Sequence, residues 1–184
     1  MSRPTHTLKH EHRIIEQVLR ALDGICVRLE LGESIPLEAF IHTLDFVQIY
    51  ADRFHHEKEE MHLFPALQQS GMQVEGGPLG FLQHEHQVER QLLIDLGVAV
   101  NDYRHDDTAA KHRIVEIARN YSRHLLSHMR REDTILFMLA EEILDEPTKT
   151  AINYAFAKAA HGLGEKSVEH YEELATELEK AWSV

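Results

Sequence analysis

"FHHEKEEMHLFP", residues 54–65, is the stretch on which the fold turns. Two adjacent histidines, His55 and His56, stand ahead of a run of carboxylates, Glu57, Glu59 and Glu60. Apolar residues border them: Phe54, Met61, Leu63 and Phe64. On a helix, residues four apart share a face, so Glu59 lies one turn from His55. His56 is turned about 100° from His55. Glu59 follows it by three residues and Glu60 by four, so either carboxylate can neighbour it. The stretch is either a solvated charged face or a set of ligands turned inward.

Its surroundings favour the inward reading. Breakers at 31–36 (LGESIP), 70–78 (SGMQVEGGP), 104–108 (RHDDT) and 144–147 (LDEP) separate four long segments with helical periodicity. The first carries Leu8, His12, Ile15, Leu19, Leu22, Cys26 and Leu29 at alternating steps of four and three, the inward stripe of a bundle helix. The second carries Phe40, Leu44, Val47, Ala51, Phe54, His55 and Glu59, and Phe64–Pro65 is expected to end it. The third stripe is Leu79, Leu82, His86, Glu89, Leu93, Leu96 and Val100. The fourth is Ile114, Ala118, Tyr121, Leu125, His128, Glu132, Ile135 and Leu139. No segment reads as a run of strands. The expected fold is all-α: an up-down-up-down four-helix bundle over 1–146, with a helical extension over 147–184 packed on it. The extension has a break at 161–165 (HGLGE) and a stripe of Tyr171, Leu174, Leu178 and Trp182. It can cap the bundle or pair with another subunit.

The chain also repeats itself. "HEHRIIEQVL" (10–19) resembles "HEHQVERQLL" (84–93), and "EEMHLFPAL" (59–67) aligns with "EDTILFMLA" (132–140). His55 then matches His128, and Glu59 matches Glu132. Each half carries a histidine and, some forty residues later, His-x-x-x-Glu. Two such halves facing each other supply imidazoles and carboxylates at one depth. Imidazole with carboxylate suits iron, manganese or zinc, and a carboxylate can bridge two cations. Carboxylates buried in a bundle core without a cation carry a heavy desolvation cost. The set therefore points to a dinuclear metal site.

Helical phase selects among neighbouring histidines. His12 lies on its stripe and His10 about 200° away; His86 lies on its stripe and His84 does not. His10, His84, His62, His124 and His161 read as exposed, supporting or buffering groups, and Glu57 as a solvated one. Cys26 reads as a small core residue. Met61 and Phe64 read as core, and Tyr121 as a packed residue or a wall of the site.

With these residues in view, the chain resembles the hemerythrin-like HHE cation-binding domains. "FHHEKEEMHLFP", an upstream and a downstream "EH" and the final "HMRRE" carry the resemblance, which covers roughly residues 6–144. It implies a non-haem, oxo- or hydroxo-bridged pair of iron ions inside a four-helix bundle, with manganese or zinc as substitutes. It further implies that Glu59 and Glu132 bridge, that His12 and His55 hold one iron, and that His56, His86 and His128 hold the other. Oxygen-carrying hemerythrins take two ligands from the third helix as His-x-x-x-His. Here Leu82 and Arg90 stand four residues from His86. His56 is the substitute, with Glu89 as a rival and Glu60, Tyr121 and His124 as alternative or supporting groups. The implied function is binding of a small diatomic (oxygen, nitric oxide or peroxide) in sensing, scavenging or stress protection. The alternatives are a di-iron peroxidase or oxidase, and an iron sensor or store acting through a partner protein.

Composition is consistent with this. The 184 residues carry a formal net charge of −12 with neutral histidines, and 15 of them are histidine. No basic patch is visible, which argues against nucleic acid and anionic membrane as partners. A lone cysteine cannot form an internal disulfide, and the N-terminus is polar, so a cytoplasmic location is expected.

Overall fold

The computed structural model describes residues 3–104, 108–160, 163 and 166–184. Among these residues there are six helices and no strand. Helix α1 is Pro4–Glu30. Helix α2 runs through 37–69, α3 is Pro78–Arg104, and α4 runs through 108–143. Helices α5 (Glu146–Ala160) and α6 (Val168–Trp182) follow. The breakers act as their chemistry dictates. Pro4 opens α1, where its missing N–H costs nothing. Gly32 (φ 85°) and Gly71 (φ 100°) take the left-handed conformation just past α1 and α2. The break expected at 104–108 falls mostly on residues 105–107, outside the described residues; so does the one at 161–165, apart from Leu163.

Helix α1 packs on α2 and α4, and α3 packs on α2 and α4, so the four long helices enclose one core. Helix α6 lies along α1 and touches α2, while α5 touches α1 and α2. Tyr171, Leu174, Ala175 and Leu178 of α6 join the core of the long helices. The core is split in two. One cluster includes Ile15, Phe54, Leu93 and Met129; the other includes Leu8, Leu63, Leu82 and Leu136. Between Leu8 and Ile15 sits His12, and between Phe54 and Leu63 sit His55, His56 and Glu59. His86 lies between Leu82 and Leu93, and Glu132 between Met129 and Leu136. A polar layer therefore crosses the middle of an apolar bundle.

Three expectations fail here, all at the π-helical turns. Helix α2 does not end at Phe64–Pro65; it continues to Gln69. Its preceding turn, Glu59–Leu63, is π-helical, and Phe64 N–H reaches back five residues to Glu59. The widened turn accommodates the proline ring where a regular α-turn would clash. Helix α4 has the matching π-turn, Glu132–Leu136. A π-turn inserts one extra residue and rotates everything after it. The buried positions therefore become Leu136, Phe137 and Ala140, and Ile135, expected inside, is 53% exposed. Met61, also expected in the core, lies in the α2 turn and is 61% exposed.

Candidate metal centre

The structure brings all seven expected ligands into one buried layer. His12, His55, Glu59 and Glu132 form one group, and His56, Glu59, His86 and His128 another, with ligand atoms within 4.8 Å of one another in each. All seven side chains are essentially inaccessible. Two histidines fall in the first group and three in the second, and Glu59 belongs to both. Each glutamate turns one oxygen to each side. Glu59 Oε1 lies 3.7 Å from His55 Nε2 and Oε2 3.6 Å from His86 Nε2. Glu132 Oε2 lies 3.3 Å from His12 Nε2 and Oε1 3.2 Å from His128 Nε2. None of these four oxygens makes a hydrogen bond, nor does His56 Nε2.

The outer nitrogens explain the orientation. His12 Nδ1 bonds Asp133 (2.9 Å) and His55 Nδ1 bonds Glu11 (2.9 Å). His86 Nδ1 bonds Glu60 (2.7 Å) and His128 Nδ1 bonds Glu85 (3.0 Å). A carboxylate only accepts, so each Nδ1 carries a hydrogen and each Nε2 points a lone pair inward. Those lone pairs meet: His12 Nε2 lies 3.0 Å from His55 Nε2, and His86 Nε2 lies 3.0 Å from His128 Nε2. Two facing lone pairs at that distance require a positive charge between them.

In the metal-free chain protons supply that charge. Burial works against charging His12, but the carboxylates of Asp133 and Glu132 outweigh it and raise its pKa. At His128 burial is likewise overcome, chiefly by Glu132, and the pKa rises well above the usual imidazole value. Burial lowers His55 and His56 strongly and takes His86 to about 3. Burial, reinforced by the charge of Glu132, pushes Glu59 far up. Burial also opposes charging Glu132, but His128 and His12 hold it ionised. Metal cations would satisfy the same orphaned oxygens and facing nitrogens, so the donor set fits a metal pair. Ligands must shed protons to bind one.

The other expected residues lie outside both groups. Glu60 supports His86 and is held by Arg90 (2.9 Å). Glu89 is buried between two histidines, its Oε2 3.6 Å from His56 Nε2 and its Oε1 3.1 Å from His124 Nδ1. His124 is 27% exposed. Tyr121 is packed in the apolar core, its phenol pushed up by burial with Glu89 beyond it. Burial raises the Cys26 thiol to about 12, as suits a core residue.

Apart from Glu60, sequence reasoning missed the groups that hold the imidazoles. Glu11 is gripped by Lys58, Glu85 by Arg131, Asp133 by Arg13 and Glu60 by Arg90. Arg90 also bonds Asp52 (2.7 Å), which faces His56 Nδ1 at 3.7 Å. Every histidine of the layer thus has a carboxylate behind it and a base behind that. The signal was in the repeat: "HEH" recurs with its glutamate, and a base precedes both Glu59 and Glu132.

The family model of the hemerythrin HHE cation-binding domain matches residues 3–140. The chain belongs to that family. Uncharacterized proteins of Mycobacterium bovis and Mycobacterium tuberculosis are similar to this hemerythrin-family chain, 21% identical over 178 residues. The match covers 96% of this chain and 69% of theirs. No solved structure matches it significantly. Among the described residues no helix is long and apolar enough to cross a membrane.

Proposed function

We propose that this layer holds a non-haem pair of iron ions and binds a small diatomic, with oxygen first and nitric oxide or peroxide in the same class. The role would be sensing, scavenging or stress protection. One observation carries the reading: two pairs of imidazole nitrogens face each other at 3.0 Å beside four unpartnered carboxylate oxygens. In this proposal Glu59 and Glu132 bridge, His12 and His55 hold one ion, and His56, His86 and His128 hold the other. The four long helices form an up-down-up-down bundle over 1–146, with 147–184 as an extension on it.

Bound iron supplies the electrons that such a ligand takes up. The chain's own residues do the rest. His56 has no counterpart in the other half, where the repeat places Met129, buried in the core. The His12–His55 side is therefore one imidazole short, and an ion held there would have room for the ligand on that side. Phe137 stacks on His12 with ring centroids 5.5 Å apart, and Leu8 is fully buried in the same cluster, so water is kept away.

Metal analysis after iron-supplemented expression should give about two ions per chain; fewer than about one iron or manganese per chain would overturn the dinuclear reading. Reduction without air, exposure to oxygen and its removal should cycle the optical spectrum. Irreversible oxidation would sink reversible carriage, and peroxide turnover that vanishes in Glu132→Ala would make the site an enzyme's.

A further inference from the structure

All the ligand side chains are buried, so an ion has to be led to them. Every carboxylate behind an imidazole is gripped by a base: Glu11 by Lys58, Glu85 by Arg131, Asp133 by Arg13, and Glu60 and Asp52 by Arg90. A cation approaching past any of them meets a positive charge. Glu89 is different. Among the described residues no lysine or arginine pairs with it, and it faces the inner nitrogen of an imidazole rather than the outer one. Its Oε2 lies 3.6 Å from His56 Nε2, and neither atom has a hydrogen-bond partner. Its Oε1 accepts from His124 Nδ1 at 3.1 Å. The Glu89 side chain is 2% exposed and that of His124 27%. His124, Glu89 and His56 therefore form a polar column from the surface to the layer.

The repeat shows that the fold does not need this column. The counterparts of His124, Glu89 and His56 in the other half are Ala51, Ile15 and Met129, all apolar and buried. A buried carboxylate carries a desolvation cost that isoleucine does not. Glu89 nevertheless stays outside both groups of donor atoms that lie within 4.8 Å of one another. We propose that the column is the route by which divalent metal ions enter and leave the layer, a reading that rests on the metal pair proposed above. With its hydrogen on Nδ1, His124 keeps the Nε2 lone pair for an arriving ion. Glu89, a carboxylate that no base neutralises, draws the ion inward and hands it to His56. Glu59, a member of both groups, passes one ion on to the His12–His55 side.

Anaerobic stopped-flow uptake of cobalt(II) by the metal-free full-length chain, read by its visible absorbance, tests this, with release into excess chelator as the reverse step. Glu89→Gln and His124→Ala should slow uptake and release alike, by about tenfold or more, so that affinity stays near wild type. Loss of a ligand would instead speed release and weaken binding. His124→Arg, which gives Glu89 the base that the other acids have, should slow uptake most, and it serves if Glu89→Gln does not fold. Wild-type uptake rates in these variants, or faster release with lost affinity, would overturn the route and leave the metal pair standing. A wild-type chain that takes up neither cobalt nor iron would overturn both.

Discussion

At the scale of single residues, the layer is built by repetition of one small unit: base, carboxylate, imidazole. The carboxylate fixes the hydrogen on Nδ1, and the base favours the carboxylate's charged form. Glu85 shows the logic. Burial alone would raise its pKa, but the His128 imidazole and the Arg131 guanidinium lower it. In Glu85→Gln the amide can still meet His128, but as a neutral acceptor it no longer favours the correct tautomer or strengthens the donor. Metal affinity should fall by about 10–100-fold, measured by competition with a chelator, while far-UV circular dichroism stays unchanged. An affinity equal to wild type would mean that His128 is oriented by packing alone. Glu11 and Glu85 could have been found from sequence, because the repeat keeps both. Arg13 could not, because Arg13 aligns with Gln87 and the repeat does not preserve the base.

At the scale of elements, legibility follows the regularity of the helix. Helices α1 and α3 have no π-turn, and every residue of their expected stripes is buried. In α4 the phase holds as far as Glu132 and fails just beyond, at Ile135; in α2, where Val47–His56 is π-helical as well as Glu59–Leu63, Leu44 is only half-buried and Met61 is exposed. Periodicity assumes one rotation per residue, and a π-turn breaks that assumption without leaving a breaker in the sequence. This makes a deletion informative. Removing exposed Thr134 from Glu132–Leu136 should convert the π-turn to an α-turn and leave Leu136, Phe137 and Ala140 facing inward. We expect a loss of about 1 kcal/mol or less. Deleting Ser122 from the regular part of α4 should rotate His128 and Glu132 out of the layer by about 100° and prevent folding. Thermal melts of the two deletions decide; equal damage would show that the π-turn contributes no slack. Packing between elements is equally specific at Gly24. A Cβ there would stand 1.8 Å from the carbonyl oxygen of Trp182, at the end of α6. Backbone cannot yield as a flexible side chain does, so Gly24→Ala should displace the end of α6 and cost about 1–3 kcal/mol despite alanine's better helix propensity. A melting temperature at or above wild type would show that α6 moves freely.

At the scale of the whole molecule, the layer gives the metal-free chain a pH optimum of stability. His55, His56 and His86 have lowered pKa values, chiefly through burial. Below about pH 6.5 the unfolded chain protonates them and the folded chain does not, so stability falls as pH falls. His12 and His128 have raised values, because Asp133 and Glu132 overcome burial at one and Glu132 at the other. Their contribution is fully present below about pH 6.5 and is lost as pH rises through their folded values. Glu59, raised by burial, adds to the loss on the alkaline side. The two trends meet, so the melting temperature of the metal-free protein should peak near pH 6.5 and fall in both directions. Loading with metal should abolish the alkaline fall, because the cations replace the protons on His12 and His128 and release them. Proton release on metal addition at pH 7.5, read by calorimetry in two buffers of different ionisation enthalpy, measures that exchange directly. A metal-free melting temperature that keeps rising from pH 6.5 to pH 8 would show that His12 and His128 are neutral in the fold, and that the facing nitrogens are held apart by something other than charge.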